Sequence, residues 1–273
     1  MRKLWFFLLL LLILVILFAF ISKKFIFNES NSEPENTKAN INYTICPTKN
    51  IDPTLPKIKQ GEVIIKHKYY TLGYNEKYEE ADWVAYKLTS EMISGNTKRK
   101  NNFRVDPMVS TGSSNPNDYK NSGYDKGHLC PAADMSLSEE AMSETFFMSN
   151  MSPQTPQFNR GIWKKLEEKV REWAKKNDEI YVTTGPIIRN SYKTIGTDNV
   201  AVPQYYYKVI LDYKEPGIKG IGFIMKNEGS KENLEKYAVT IDSVETFTGF
   251  DFFTVLPDSI ECVIEGKFDF FAW

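Results

Sequence analysis

From about Lys57 to the C-terminus, strand-like and helix-like segments follow one another without an obvious linker and without strict alternation. The β-branched and aromatic segment 62–74, followed by a polar turn at Asn75, predicts a β-hairpin. Residues 82–89 form another element, whose type the pattern does not determine. Because a doubly wound parallel sheet requires regular alternation of strands and helices, this order favours an α+β fold in one domain.

The clearest helix is predicted over residues 160–176, where apolar residues recur at the spacing of one helix face. These residues are separated by 3, 4 and 3 positions: Trp163, Leu166, Val170 and Trp173. Strands are expected at 179–184, 204–213 and 220–225, and short helices at 230–235 and 243–249, each beginning at a serine cap.

The N-terminus carries 18 consecutive apolar residues, 4–21, between two basic pairs. At about 1.5 Å per residue, a helix of this length just spans the hydrocarbon core of a bilayer. Either a cleaved signal peptide or an uncleaved anchor fits residues 1–24, and the lack of an A-x-A-like pair of small residues at the end of the run favours the anchor. Residues 25–57, rich in Asn, Ser, Glu and Pro, are expected to be a flexible stalk. Both interpretations place the domain, residues 58–273, outside the cytoplasm, as a membrane-anchored or secreted protein.

The charge balance excludes a protein that binds nucleic acid through a wholly basic surface. Without residues 1–24, the chain has 30 Lys and Arg against 35 Asp and Glu, a net charge of −5. An anionic substrate would therefore have to be bound locally. The three cysteines are too few for a disulfide-based scaffold, and Cys46 with Cys262 is the pair that we expect if one forms.

Only two histidines are available as a catalytic base. His67 lies in an alternating Lys-His-Lys segment and is predicted to be a solvated strand residue. His128 lies in the sequence Asp-Lys-Gly-His-Leu-Cys-Pro, where an acidic residue, a glycine and a proline surround the imidazole. Taken alone, this short motif is a weak signal, and the default interpretation is a structural turn that contains a hydrogen-bonded histidine. The nearby Cys130 is expected to be a buried, inert small side chain.

The segment after His128 adds oxygen donors suited to a divalent ion. If a helix starts near Phe158, then Asn159, Trp163 and Glu167 fall at i, i+4 and i+8, near one helix face. An amide oxygen and a carboxylate are hard ligands of the kind that Mg²⁺ takes, usually one or two with retained waters. The cysteines and histidines lack the paired spacing of a zinc site. The alternative is that Asn159 caps the helix and Glu167 is a solvated surface charge.

Taken together, these segments resemble the DNA/RNA non-specific endonucleases, the ββα-metal nucleases. The resemblance rests on Asp125-Lys-Gly-His128, on Asn150-Met-Ser-Pro-Gln, and on Asn159 with Trp163 and Glu167 at intervals of four. It extends upstream through Lys98-Arg-Lys-Asn-Asn-Phe-Arg104 and downstream through Thr184-Gly-Pro-Ile, and so covers roughly residues 60–255. It implies a central, mostly antiparallel sheet flanked by helices, with a ββα finger in which a β-hairpin carries His128 and a crossing helix carries Asn159 and Glu167.

The resemblance also implies roles for single residues. His128 would be the general base, Asn159 the direct protein ligand of Mg²⁺, and Glu167 the residue that holds a metal-bound water. Asn150 would position the base or the substrate phosphate, and Asp125 would belong to the catalytic turn. Arg99 would contact the phosphate. Mn²⁺ could substitute for Mg²⁺, and no small-molecule cofactor is expected.

One position departs from the family pattern, because Lys126 stands where the common motif has arginine. Lysine keeps the charge but loses the bidentate fork that matches a phosphate. We expect activity to survive with lower affinity or turnover. Lys126, Arg104 and Arg160 belong to a cluster of basic residues in the motif-bearing segments, which predicts a local phosphate-binding groove on an otherwise acidic body.

These observations predict a Mg²⁺-dependent endonuclease that hydrolyses phosphodiester bonds of DNA and RNA regardless of the sugar. The expected partners are both nucleic acids, a membrane through residues 4–21, and in some settings a second copy of the chain. Two alternatives stay open: a non-catalytic nucleic-acid-binding protein, and a cell-surface interaction protein that keeps the nuclease fold.

Overall fold

A seven-stranded antiparallel sheet forms the centre of the computed structural model, which describes residues 55–214 and 217–273. The strands lie in the order β1-β2-β3-β6-β9-β10-β11. Their bounds are Val63–Lys66 (β1), Thr71–Asn75 (β2), Glu80–Thr89 (β3), Glu179–Ile187 (β6), Tyr205–Asp212 (β9), Lys219–Lys226 (β10) and Ala238–Val239 (β11). The predicted hairpin at 62–74 is confirmed as β1 and β2, and residues 82–89 belong to strand β3.

Two smaller antiparallel pairs lie outside this sheet. Their strands are Asp125–His128 (β4) with Met151–Gln154 (β5), and Lys193–Ile195 (β7) with Val200–Val202 (β8). The α-helices are Ser90–Ile93 (α1), Glu139–Glu144 (α2), Lys164–Asn177 (α3), Ile241–Thr248 (α4) and Asp258–Glu265 (α5).

Both faces of the central sheet are buried, because alternate residues of its middle strands enter two different hydrophobic clusters. In β3, Val84 and Tyr86 pack in the cluster that contains α3, whereas Ala85 packs in the cluster that contains α4 and α5. Helix α3 contributes the predicted apolar stripe of Leu166, Val170 and Trp173 to the first cluster. This arrangement confirms the predicted α+β class with a central antiparallel sheet.

The helix predicted at 160–176 begins later than expected. Residues Phe158–Trp163 form a π-helical segment, and regular α-helix begins at Lys164. Gly161 has φ −109° and ψ −111°, which interrupts the helical hydrogen-bond ladder between Asn159 and Glu167. Segments of this kind occur frequently at functional sites.

The helix predicted at 243–249 is confirmed as α4, but its serine cap and the helix predicted at 230–235 are wrong. Thr240, not Ser243, caps α4, because its side-chain oxygen accepts a hydrogen bond from the Ser243 amide. Ser230 accepts a hydrogen bond from the amide of Glu232 and closes a tight turn, and the 3-10 turn Leu234–Tyr237 follows it.

The predicted membrane anchor at 4–21 and almost all of the predicted stalk lie outside the described residues. Among residues 55–214 and 217–273, no helix combines the length and the apolar character that a membrane span requires.

Candidate active site

Strands β4 and β5 and helix α3 bring the predicted site residues together. His128 pairs with Met151 and Asp125 with Gln154 across the two antiparallel strands. The predicted β-hairpin that carries His128 is therefore confirmed, and the connection between its strands, residues 129–150, is long and contains α2. The π-helical segment and α3 follow β5 directly and complete a ββα order.

His128 is a buried, neutral imidazole. Its ring packs edge-on against Phe146 at 4.9 Å between centroids and lies 5.7 Å from Phe103. Its Nε2 atom is buried and has no hydrogen-bond partner among the described residues. Burial lowers the pKa of His128 to about 3, and the positive charge of Arg99 contributes. The ring is therefore able to accept a proton at neutral pH.

Asn150 holds the backbone that follows His128. Its amide oxygen accepts from the Cys130 amide at 2.8 Å, and its Nδ2 donates to the carbonyls of Cys130 at 3.0 Å and Thr145 at 2.9 Å. Both side-chain donor hydrogens are used, and the residue is fully buried. Of the two roles that we predicted for Asn150, this geometry supports positioning of the base and disfavours contact with the phosphate.

Asp125 orients Asn159. The Nδ2 of Asn159 donates to Asp125 Oδ2 at 2.9 Å. Because a carboxylate only accepts hydrogen bonds, the atom facing Asp125 must be the amide nitrogen, which leaves the amide oxygen of Asn159 for another ligand. Arg160 donates two hydrogen bonds, of 2.8 and 2.6 Å, to the same Asp125 carboxylate. Asn159 is therefore not a helix cap.

Glu167 lies among buried charges of both signs. Burial raises the pKa of Glu167 to about 7, although the positive charge of Lys208 acts in the opposite direction. No hydrogen-bond or ion-pair partner of its carboxylate occurs in the described part of the chain. Glu167 is half-buried, so it is not the solvated surface charge of the alternative interpretation.

Three charged residues around Glu167 were missed by the sequence reasoning. Asp134 is buried, accepts from Tyr86 Oη at 2.9 Å and pairs with Arg171 at 2.8 Å. Lys208 is buried 5.0 Å from the centre of the Trp163 ring, and its Nζ has no hydrogen-bond partner within the described ranges. Two sequence signals could have identified the two cations. Arg171 stands four positions after Glu167, and Lys208 interrupts the inward-facing positions of an otherwise apolar strand.

The other predicted basic residues lie at different places. Arg99 is exposed, its guanidinium lies 4.9 Å from the Phe146 ring centre, and its charge acts on both His128 and Glu167. Lys126 Nζ lies 5.0 Å from the centre of the Phe103 ring, and it is Phe103 that lies beside the His128 ring. Arg104 stacks on Phe147 at 3.8 Å and donates to two backbone carbonyls, and no described contact joins it to His128 or Glu167.

The donor set fits a hard divalent ion. Asn159 offers an amide oxygen whose orientation is fixed by Asp125, and Glu167 offers a carboxylate, raised in pKa by burial, that no side chain of residues 55–214 and 217–273 pairs directly. Hard oxygen donors with room for water are the ligands that Mg²⁺ prefers.

His67 was predicted incorrectly as a solvated residue. It is buried, its Nε2 lies 2.9 Å from Asp106 Oδ2, and Ser149 binds the same carboxylate. Sequence alternation missed this because its partner Asp106 comes from a distant segment. Cys130 is buried as predicted. Cys262 is an exposed free thiol, and its predicted partner Cys46 lies outside the described residues.

Comparison with known proteins places this geometry in a family. The family model described as DNA/RNA non-specific endonuclease matches residues 27–259. A nuclease from Nostoc sp. is 34% identical over 228 residues, which cover 79% of this chain and 82% of that protein. Human mitochondrial endonuclease G is 34% identical over 73% of this chain and 70% of its own length.

Two further relatives extend the comparison. Zebrafish mitochondrial nuclease EXOG is 35% identical over 69% of this chain, but the alignment spans only 61% of that protein. Among solved structures, the EndoG/EndoGI complex, which concerns the mechanism of EndoG inhibition, matches with a TM-score of 0.66 and 32% identity over 71% of this chain and 87% of the matched chain.

Proposed function

The chain belongs to the DNA/RNA non-specific endonuclease family, and we propose that it hydrolyses phosphodiester bonds of DNA and RNA in a Mg²⁺-dependent reaction. The observation that carries the proposal is that one ββα unit contains a neutral, buried imidazole and two oxygen donors that are available to a metal ion. His128 supplies the base, and Asn159 and Glu167 supply the donors.

His128 is proposed to take a proton from the attacking water. A neutral imidazole within reach of the water contributes about 10² to 10⁴ in rate as a general base. Asn150 is a positioning residue for it, because two of its three hydrogen bonds fix the backbone at Cys130, two residues after the imidazole, and the third ties that segment to Thr145.

Asn159 and Glu167 are proposed to hold Mg²⁺, with the Asn159 oxygen as direct ligand and the Glu167 carboxylate on a coordinated water. Asp125 sets the orientation of the Asn159 amide, and Arg160 keeps Asp125 ionised, since its hydrogen bonds lower the pKa of that carboxyl. A bound Mg²⁺ would neutralise negative charge that develops on the phosphate oxygens. Mn²⁺ would find the same oxygen donors.

Arg99 is proposed to bind the scissile phosphate. Its guanidinium is exposed and stays protonated at any working pH. Its positive charge acts on both His128 and Glu167, so a phosphate bound to it would lie near both residues. Lys126 adds a second positive charge over the ring of Phe103, which in turn packs near the His128 ring. Arg160 already binds Asp125, and Arg104 already binds backbone carbonyls. We therefore propose that Arg104 and Arg160 make only secondary contacts, with phosphates next to the scissile one.

We also propose that the domain acts outside the cytoplasm, tethered through residues 4–21 or released after cleavage. The apolar run and the stalk-like composition of residues 25–57 support this location. A homodimer is compatible with the proposal and is not required by it.

The test is cleavage of plasmid DNA and of RNA by the purified full chain, with Mg²⁺ or with a chelator, beside His128→Ala. We expect metal-dependent cleavage of both substrates by the wild-type chain and a loss of about 10² to 10⁴ in the variant. Salt-dependent binding without cleavage under any divalent ion would favour a binding protein instead. Absence of both cleavage and binding would favour the cell-surface interaction protein.

A further inference from the structure

Three carboxylates meet on the sheet face opposite α3. They are Asp242 and Glu245 of α4 and Glu265, the last residue of α5, and one oxygen of each lies within 4.8 Å of the other two. No ion pair with a lysine or arginine involves any of the three among the described residues. This cluster is separate from the His128 site, because α4 and α5 pack in the other hydrophobic cluster.

The fold brings these helices together closely. Gly220 of β10 lies beneath both, since a Cβ atom at that position would stand 2.6 Å from Ile241 Cδ1 of α4 and 3.0 Å from the Ile264 carbonyl of α5. Asp242 and Glu245 are three positions apart and therefore share one side of α4. Glu265 stands at the C-terminus of α5, where the unsatisfied helix carbonyls add partial negative charge.

The burial of Glu265 is an independent indication that this cluster binds a cation. Its residue is only 7% exposed, and its Oε1 is buried without a hydrogen-bond partner in the described structure. Burial raises the pKa of Glu265 to about 8, and the negative charges of Glu245 and Glu261 add to the effect. A buried carboxylate without a partner is costly, and proteins normally pair such a group or use it to bind a metal.

We propose that Asp242, Glu245 and Glu265 form a Ca²⁺ site that joins α4 to α5. Two calcium–oxygen bonds of about 2.4 Å laid end to end span about 4.8 Å, and the three oxygens lie within that distance of one another, so one ion can reach all three. Glu245 keeps one oxygen for the ion while the other accepts from the Phe252 amide at 2.7 Å. Ca²⁺ is favoured over Mg²⁺ because it accepts several carboxylates in flexible geometry, whereas Mg²⁺ retains most of its water.

The ion would stabilise the helical layer without taking part in hydrolysis. Sites built from few protein carboxylates in extracellular modules bind Ca²⁺ with dissociation constants of about 10⁻⁴ to 10⁻³ M. At a Ca²⁺ concentration about tenfold above Kd, mass action raises Tm by roughly 3–6 °C for a domain of this size.

The test is thermal unfolding of the full chain, freed of metal by a chelator and then titrated with CaCl₂. We expect a saturable rise in Tm for the wild-type chain, and its loss, or a Kd weakened by at least about tenfold, in Glu265→Gln. Asp242→Asn provides a second variant, since Asp242 is exposed and its substitution does not threaten folding. Glu235→Gln, an exposed acidic residue outside the cluster, is the matched control and should keep the full rise.

Asn159→Ala distinguishes this site from the proposed Mg²⁺ site. The Ca²⁺-dependent rise should persist in Asn159→Ala, and nuclease activity should persist in Asp242→Asn. The proposal would be overturned if Ca²⁺ gave no saturable rise in the Tm of the wild-type chain. It would also be overturned if Glu265→Gln and Asp242→Asn both showed the same rise as the wild-type chain, whatever the nuclease assays show.

Discussion

The two faces of the central sheet differ in the charges that surround their buried carboxylates. On the α3 face, Asp134 and Glu167 lie near the cations Arg171 and Lys208. On the face covered by α4 and α5, further carboxylates surround Glu265, and no lysine or arginine among the described residues forms an ion pair with it. The α3 face therefore places cations of the chain next to its buried carboxylates, whereas the Glu265 cluster would need a cation from solution.

This difference leads to a separation of effects. Substitutions around β4, β5 and α3 should change catalysis, because they touch the base, its support or the oxygen donors. Substitutions beneath α4 and α5 should change unfolding and leave turnover intact at temperatures where the chain is folded. The predictions below follow this order of expected effect.

The largest effect is expected from Asn150→Asp. The carboxylate has nearly the same shape but cannot donate to the carbonyls of Cys130 and Thr145, so two buried hydrogen bonds become repulsive contacts. We expect a loss of about 2–4 kcal/mol in the free energy of unfolding, measured in urea, together with loss of cleavage. Asn233→Asp, at an exposed position, should stay within about 0.5 kcal/mol of wild type.

Gly220→Ala should destabilise the chain without slowing the reaction. The added methyl group would press on Ile241 and on the Ile264 carbonyl, which costs about 1–3 kcal/mol in a packed interior. Gly217→Ala is the matched control, because a Cβ atom there meets nothing within 4 Å. A large fall in kcat for Gly220→Ala at low temperature would mean that the two faces are coupled.

Arg99→Gln should move the acidic limb of the pH–rate profile. The neutral form of His128 is the proposed base, so we expect activity to be lost as pH falls through its pKa, which burial and the Arg99 charge hold well below 6.5. Without the guanidinium, the pKa rises and the limb moves toward higher pH, while loss of the phosphate contact lowers kcat/KM by about 10-fold or more. The measurement is kcat/KM from about pH 2.5 to pH 8, a range that includes the His128 pKa of about 3; an acidic limb at the same pH in both chains would mean that the Arg99 charge does not act on the base.

Lys126→Arg is expected to have the smallest effect. Arginine would add a bidentate phosphate contact and raise kcat/KM by about two- to fivefold, equivalent to about 0.5–1 kcal/mol. Lys165→Arg, on the exposed side of α3, should leave kcat/KM unchanged. If cleavage exists only in Lys126→Arg, the wild-type chain is a binding protein.

The sequence predicts the parts of the fold and the site that depend on local pattern. The hairpin β1–β2 follows from β-branched residues, and the apolar stripe of α3 follows from its spacing. The kink at Gly161 could not be predicted, since glycine tolerates many backbone conformations. The burial of His67 and of Lys208 depends on partners from distant segments, which only the tertiary structure brings together.

The central claim is that catalysis belongs to the α3 face alone, and it is tested most directly by one paired measurement. Mg²⁺-dependent cleavage of DNA and of RNA should be measured for Asn159→Ala and Asp242→Asn beside the wild-type chain. We predict that Asn159→Ala loses at least about 100-fold on both substrates, because the direct metal ligand contributes several kcal/mol, and that Asp242→Asn keeps wild-type rates. Full activity in Asn159→Ala, or loss of cleavage in a folded Asp242→Asn, would contradict the claim.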